Sequence, residues 1–109
     1  MGRYGEAIER HISWRNQVEE AKIRLFNRAA ELGYSTEEIL SPSRRIPLPY
    51  LRMSMAYKLC KMGVNVNEVA RILNIDRTTI IFYNKCVKEN YQYDKALSEV
   101  FNELNRQTS

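Results

Sequence analysis

The stretch Val66-Asn-Glu-Val-Ala-Arg-Ile-Leu-Asn-Ile-Asp-Arg-Thr-Thr-Ile-Ile-Phe-Tyr83 decides how this chain is read. Ala70 is small where two helices must approach closely, and Val69, Leu73, Ile75 and Ile80 are apolar where a shared core needs filling. Asn74 sits between the two halves, where a tight turn demands a positive φ that asparagine tolerates better than most residues. Arg77, Thr78 and Thr79 then open a second helix. The pattern over about 66–91 is that of a helix-turn-helix, whose second helix enters the major groove of DNA through its N-terminal residues. Short helical hairpins in purely structural bundles share the pattern.

The surroundings of this stretch are basic. Residues 44–88 hold nine basic side chains against Glu68 and Asp76, a local balance of +7, whereas 1–43 come to −1 and 89–109 to −2. The overall +4 is therefore concentrated on the motif. A polyanion bound through counterion release would leave this footprint, although a solvated basic face without a partner has the same composition. With 109 residues, 44% of them hydrophobic and 28% charged, the chain is expected to be one globular domain. No apolar run approaches the ~20 residues of a membrane span. The opening Met-Gly-Arg-Tyr-Gly-Glu has neither the apolar core of a secretory signal nor a myristoylation pattern. Cys60 and Cys86 follow no metal spacing and read as small core residues in a reducing compartment, so a cytoplasmic protein is expected.

Working outward, apolar residues recur at helical steps through Trp14, Val18, Ala21, Leu25, Ala29 and Leu32, thickened by Ile23, Phe26 and Ala30. This predicts a well-buried helix over 13–32, ended by Gly33, with residues 1–12 as an N-terminal extension. Ser35 or Thr36 caps a short helix through Leu40, its acids near the N-terminus. Pro42 to Pro49 is a loop with three prolines and the Arg44-Arg45 pair, either a solvated linker or an arm against DNA. A helix over about 48–62 follows, with Leu51, Met55, Leu59 and Met62 inward and Arg52, Lys58 and Lys61 outward. Gly63 closes it, Asn65 or Asn67 caps a helix over about 67–74, and Asp76 caps one over about 77–91. In the latter, Ile80, Asn84, Val87 and Tyr91 share a face, and Arg77, Thr78, Ile81, Lys85 and Lys88 lie on or near the other; Ile81 and Phe82 either stand exposed against a sugar-phosphate wall or cover core, with core the favoured alternative. Asp94 caps a last helix with Leu97, Val100, Phe101 and Leu104 inward. No segment alternates with a two-residue period, so the expected fold is all-α, a bundle of five or six helices, with 13–109 as a single domain.

Catalytic patterns are lacking. His11 is the only histidine, and no nucleophile system can be assembled around it or the cysteines. The acids are scattered, suggesting no metal site, and the four glycines form neither a phosphate loop nor a dinucleotide fingerprint. A non-enzyme without cofactor or metal is expected.

Residues 22–105 resemble the C-terminal DNA-binding domain of DnaA, the bacterial chromosomal replication initiator, which has a Trp-repressor-like helical fold. The resemblance begins with the helix and basic loop of Leu25 to Arg45, containing Ser-Thr-Glu-Glu-Ile-Leu-Ser, similar to the family's acidic helix and arginine-rich loop. It continues with Arg52, Ser54, Met55 and Ala56, comparable to the family's Arg-Gln-Ile-Ala-Met. Its most specific part is Asp76-Arg77-Thr78-Thr79-Ile80, where the family reads Gly-Gly-Arg-Asp-His-Thr-Thr-Val. The resemblance implies base reading by Asp76, Arg77 and Thr78, a base or phosphate contact from Thr79, and a minor-groove arm at Arg44 or Arg45. Arg52, Lys58, Asn67, Lys85 and Lys88 complete the candidate phosphate or groove contacts. Two departures stand out: the Asn74-Ile75 turn is one residue shorter and lacks Gly-Gly-Arg, and Arg77 replaces the signature histidine, favouring guanine. No ATPase module is present, so a stand-alone domain of this type is expected, with any ATPase supplied by a partner.

The expected function is sequence-specific binding of double-stranded DNA in transcription control or replication initiation, as a monomer or weak dimer. Two alternatives are a protein-interaction module docking through the helix at 94–106, and a sigma-factor-like promoter-reading domain that needs a polymerase partner.

Overall fold

The computed structural model describes residues 2–105, with side chains described for 14–105. The described residues are helical, with no strand among them: α1 (Gly2–Glu31), α2 (Thr36–Leu40), α3 (Leu48–Lys61), α4 (Val66–Leu73), α5 (Arg77–Asn90) and α6 (Lys95–Asn105). The all-α expectation therefore holds. The expectations that rest on the His11 side chain and on the tail 106–109 lie outside the described residues.

Local chemistry sets the helix ends. Ser35 and Glu38 form a reciprocal capping box at the start of α2, the Ser35 Oγ accepting from the Glu38 N–H at 3.2 Å. Asn65 accepts from the Asn67 N–H at 2.8 Å to cap α4, and Asp94 accepts from the Leu97 N–H at 3.1 Å ahead of α6. Three of the turns share one solution. After α1, α3 and α4 the chain passes through a left-handed residue, Gly33, Gly63 or Asn74. Each time the next N–H reaches back five residues: Tyr34 to Ala29, Val64 to Leu59 and Ile75 to Ala70, at 2.9–3.1 Å. This is the Schellman closure, which satisfies orphan carbonyls and aims the outgoing chain back at the core.

α3 is the axis of the molecule and touches each of the other five helices. Residues around most of its circumference are buried: Leu48, Leu51, Ser54, Met55, Ala56 and Leu59. Ile39 of α2, Val69 and Leu73 of α4, Ile80 of α5 and Leu104 of α6 converge on it, each large side chain stabilising by roughly 1.5–3 kcal/mol. α6 is held by Leu97 and Leu104, by edge-on contacts of Phe101 with Tyr57 and Tyr91, and by Arg28, whose Nε donates to the Glu103 carbonyl at 2.8 Å.

Two expectations are corrected. The first helix begins at Gly2 rather than near residue 13, so its bounds are wider than the apolar spacing gave. Nor is α1 well buried: Leu25 and Ala29 are, but Ile23 is 50% exposed and Trp14 39%. A 30-residue helix is about 45 Å long and overhangs a bundle built on the 14-residue α3, about 21 Å long. Its apolar periodicity outruns the partner surface.

Candidate nucleic-acid interface

α5 and the turn before it form the centre of the site. Asn74 takes φ 56°, ψ 47°, and its Nδ2 donates to the Leu40 carbonyl at 3.3 Å. The turn between α4 and α5 is thereby tied to the end of α2, where the basic loop of Arg44 and Arg45 departs. Ala70 and Ile75 are half-buried against the core, and Val69, Leu73 and Ile80 are fully inside it, so the apolar face shared by α4 and α5 is as the spacing required.

Around α5, burial divides the side chains by face. Ile80 and Val87 are buried, and Thr79, Tyr83, Asn84, Cys86 and Tyr91 are half-buried. Arg77, Thr78, Ile81, Phe82, Lys85, Lys88 and Glu89 are exposed. Positions four apart stack on a helix, so Arg77, Ile81 and Lys85 form one outward row and Thr78 and Phe82 a second beside it. Ile81 is 51% exposed and Phe82 58%, so of the two alternatives for this pair the exposed one holds and the favoured core placement does not. They lie on the side of α5 that faces away from α3 and α4.

Asp76 adopts the extended cap conformation (φ −65°, ψ 145°) at the head of α5, but its carboxylate makes no capping hydrogen bond. The expected cap is therefore geometric, and the side chain stands exposed beside Arg77. The first turn of α5 holds no acid and opens on a cation. The Arg77 cation opposes the helix dipole and the adjacent Asp76 carboxylate favours it, so the two effects offset each other.

Arg52 is not available to a ligand, contrary to expectation. It is 4% exposed, and its guanidinium is spent on backbone carbonyls: Nε donates to Ile39 at 2.7 Å and Nη1 to Ser43 at 2.6 Å. Nη2 donates to Ser41 at 2.8 Å and Glu38 at 3.1 Å. The Ile39, Ser41 and Ser43 carbonyls lie at the end of α2 and in the following loop, where Arg52 supplies donors the helix lacks; the Glu38 carbonyl also accepts from the Ser41 N–H and hydroxyl. Its contribution to the site is indirect, since it fixes the loop that presents Arg44 and Arg45.

Of the other expected contacts, Arg44, Arg45, Asn67, Lys58, Lys85 and Lys88 are exposed. Arg44, Arg45, Arg77, Lys85 and Lys88 have no acidic partner within salt-bridge distance among the described residues. Arg71, by contrast, pairs with Glu68 at 3.4 Å. Lys85 and Lys88 border an open cleft of about 630 Å³ between α3 and α5, with Tyr57, Cys60, Lys61, Asn84 and Glu89 completing its walls. Lys61 Nζ lies 5.4 Å from the centre of the Tyr57 ring, and Asn84 Nδ2 donates to Cys60 Sγ at 3.2 Å. Lys61 belongs with the basic wall of this cleft; the lysine count carried it, but its helical spacing alone did not join it to Lys85 and Lys88.

Both cysteines are free. Burial, with a further contribution from the Glu89 carboxylate, pushes the Cys86 thiol up, against an opposing effect of Lys85. It stays protonated near neutral pH, the reverse of an activated nucleophile. No group of three potential metal ligands occurs among the described residues, and no described helix is long and apolar enough to cross a membrane.

No family model, curated protein or solved structure matches this chain. The reading of the site rests on its residues and their geometry.

Proposed function

We propose that the chain is a sequence-specific double-stranded DNA-binding protein in which α4 and α5 act as a helix-turn-helix and α5 lies in the major groove. The observation that carries this is the outward face of α5: exposed rows of Arg77, Ile81 and Lys85 and of Thr78 and Phe82, whose cations have no acidic partner within salt-bridge distance among the described residues, projecting from a turn tied to the end of α2.

In this reading Arg77 donates two hydrogen bonds to a guanine edge, and Asp76, free of capping duty, accepts from a cytosine amino group. Thr78 reaches a base edge, and the half-buried Thr79 contacts the flanking sugar or phosphate. Arg44 and Arg45 lie against the backbone or in the minor groove, while Asn67, Lys58, Lys85 and Lys88 meet phosphates and set register. The similarity to the DnaA C-terminal domain suggests a role in replication initiation or transcription control. The protein-docking alternative draws less support, because the apolar face of α6 is used internally through Leu97, Leu104 and Phe101.

The test is selection of bound duplexes from a random oligonucleotide pool at physiological salt, with Arg77→Ala in parallel. The parent enriches a defined motif. Arg77→Ala loses about 1–3 kcal/mol on that motif and relaxes it at one or two positions, whereas Lys85→Ala weakens all sequences alike. Motif-free, equal retention of both proteins would refute the reading.

A further inference from the structure

We propose that Ile81 and Phe82 read thymine, through the C5-methyl group that this base presents in the major groove. The inference rests on the DNA-binding reading above and adds a base preference to it. Ile81 and Phe82 are large apolar side chains more than half exposed in the middle of α5, not at a frayed end or in a loop. Ile81 stands one turn beyond Arg77 and one turn before Lys85; Phe82 stands one turn beyond Thr78. The apolar pair is thus bracketed by unpaired cations, and Glu89, two turns beyond Ile81, is the one acid exposed along α5.

That surround decides the occupant. A hydrophobic surface of another protein would leave Arg77 and Lys85 to be desolvated without counter-charge, which is costly. The major groove offers phosphates on both walls and, on its floor, one common apolar group, the thymine methyl. Ordinary polar base edges would leave Ile81 and Phe82 facing unsatisfied donors and acceptors, so the pair disfavours guanine and cytosine at the position it covers. The four-residue spacing between Arg77 and Ile81 corresponds to about 6 Å of helix rise, and base pairs stack at about 3.4 Å. The thymine therefore falls within about two base pairs of the guanine that Arg77 contacts.

The experiment uses the full chain and the duplex enriched by selection, with each thymine replaced in turn by deoxyuridine, which deletes the methyl and leaves every hydrogen-bonding group. Affinity is read by fluorescence anisotropy. The expected result is a loss of about four-fold at one or two thymines within about two base pairs of the Arg77 position, the worth of one buried methyl, and no change elsewhere. The double variant Ile81→Ser/Phe82→Ser, checked for an unchanged thermal midpoint, is expected to bind thymine and uracil duplexes alike. An enriched motif without thymine in that window, or one indifferent to uracil throughout, overturns this inference and leaves the DNA reading standing. So does a double variant that keeps the parent's sensitivity. Failure to enrich any duplex overturns both.

Discussion

Arg52 shows how far one side chain can depart from its apparent place in a pattern. By helical spacing it belongs with Lys58 and Lys61 on a basic outer face. In the fold its planar fork meets four carbonyls at 2.6–3.1 Å. Residue type and spacing carry no information about carbonyls left over at the end of a five-residue helix, so this role was not legible. Ile81 and Phe82 were legible only as a choice between exposure and core, because apolar residues at helical spacing suit either, and the packing of α5 decides it. Removing a donor that satisfies buried acceptors forfeits more than the bond itself. Arg52→Ala is therefore expected to lose about 2–4 kcal/mol of stability in urea denaturation. Arg52→Lys should recover little of this, because a point-like ammonium with three donors cannot span four carbonyls held in a fork. A loss below about 0.5 kcal/mol would mean that water replaces the guanidinium freely.

At the level of the element, the helix ends were the most legible part of the chain. Gly33, Gly63, Asn74, Ser35, Asn65 and Asp94 act through their own nearest backbone groups, so the sequence pattern and the structure coincide there. Asn74 does two separable things: it adopts the left-handed conformation that closes α4, and it binds the Leu40 carbonyl. Substitutions separate these roles. Asn74→Gly keeps the conformation and loses the side-chain bond, with an expected cost of about 0.5–1.5 kcal/mol. Asn74→Ala also loses the bond and, with a β-carbon held in the left-handed region, is expected to be about 1–2 kcal/mol less stable than Asn74→Gly. Thermal denaturation of the two variants reads the difference directly. Equal stabilities would show that the turn relaxes out of the left-handed geometry. If the bond to Leu40 holds the basic loop in position, Asn74→Gly should also weaken DNA binding without changing the preferred motif.

For the whole molecule, fold class and the basic character of the central segment were both legible, because composition and period are properties of the entire chain. The size of the bundle relative to its longest helix was not, and the half-exposed Ile23 of α1 records that mismatch. Charge placement gives the last expectation. Six acidic side chains of residues 14–43 and 89–105 lie on α1, α2 and α6 as exposed groups: Glu19, Glu20, Glu31, Glu37, Glu38 and Glu99. Among the described residues, Arg44 and Arg45 on the α2–α3 loop and Arg77, Lys85 and Lys88 on α5 are exposed cations without an acidic partner within salt-bridge distance. A duplex approaching the loop and α5 meets Arg44, Arg45, Lys85 and Lys88, with Asp76 and Glu89 as the exposed acids at the two ends of α5. With Lys58 of α3 as the fifth cation at the backbone, counterion release at five phosphates gives a slope of log affinity against log salt of roughly −4.5. Anisotropy titrations between low and physiological salt measure this slope. Lys85→Ala/Lys88→Ala should reduce it by about two while preserving the enriched motif, because phosphate contacts position the protein without reading sequence. A parent slope near zero would mean that the basic segment does not meet phosphate, and the major-groove placement of α5 would fall with it.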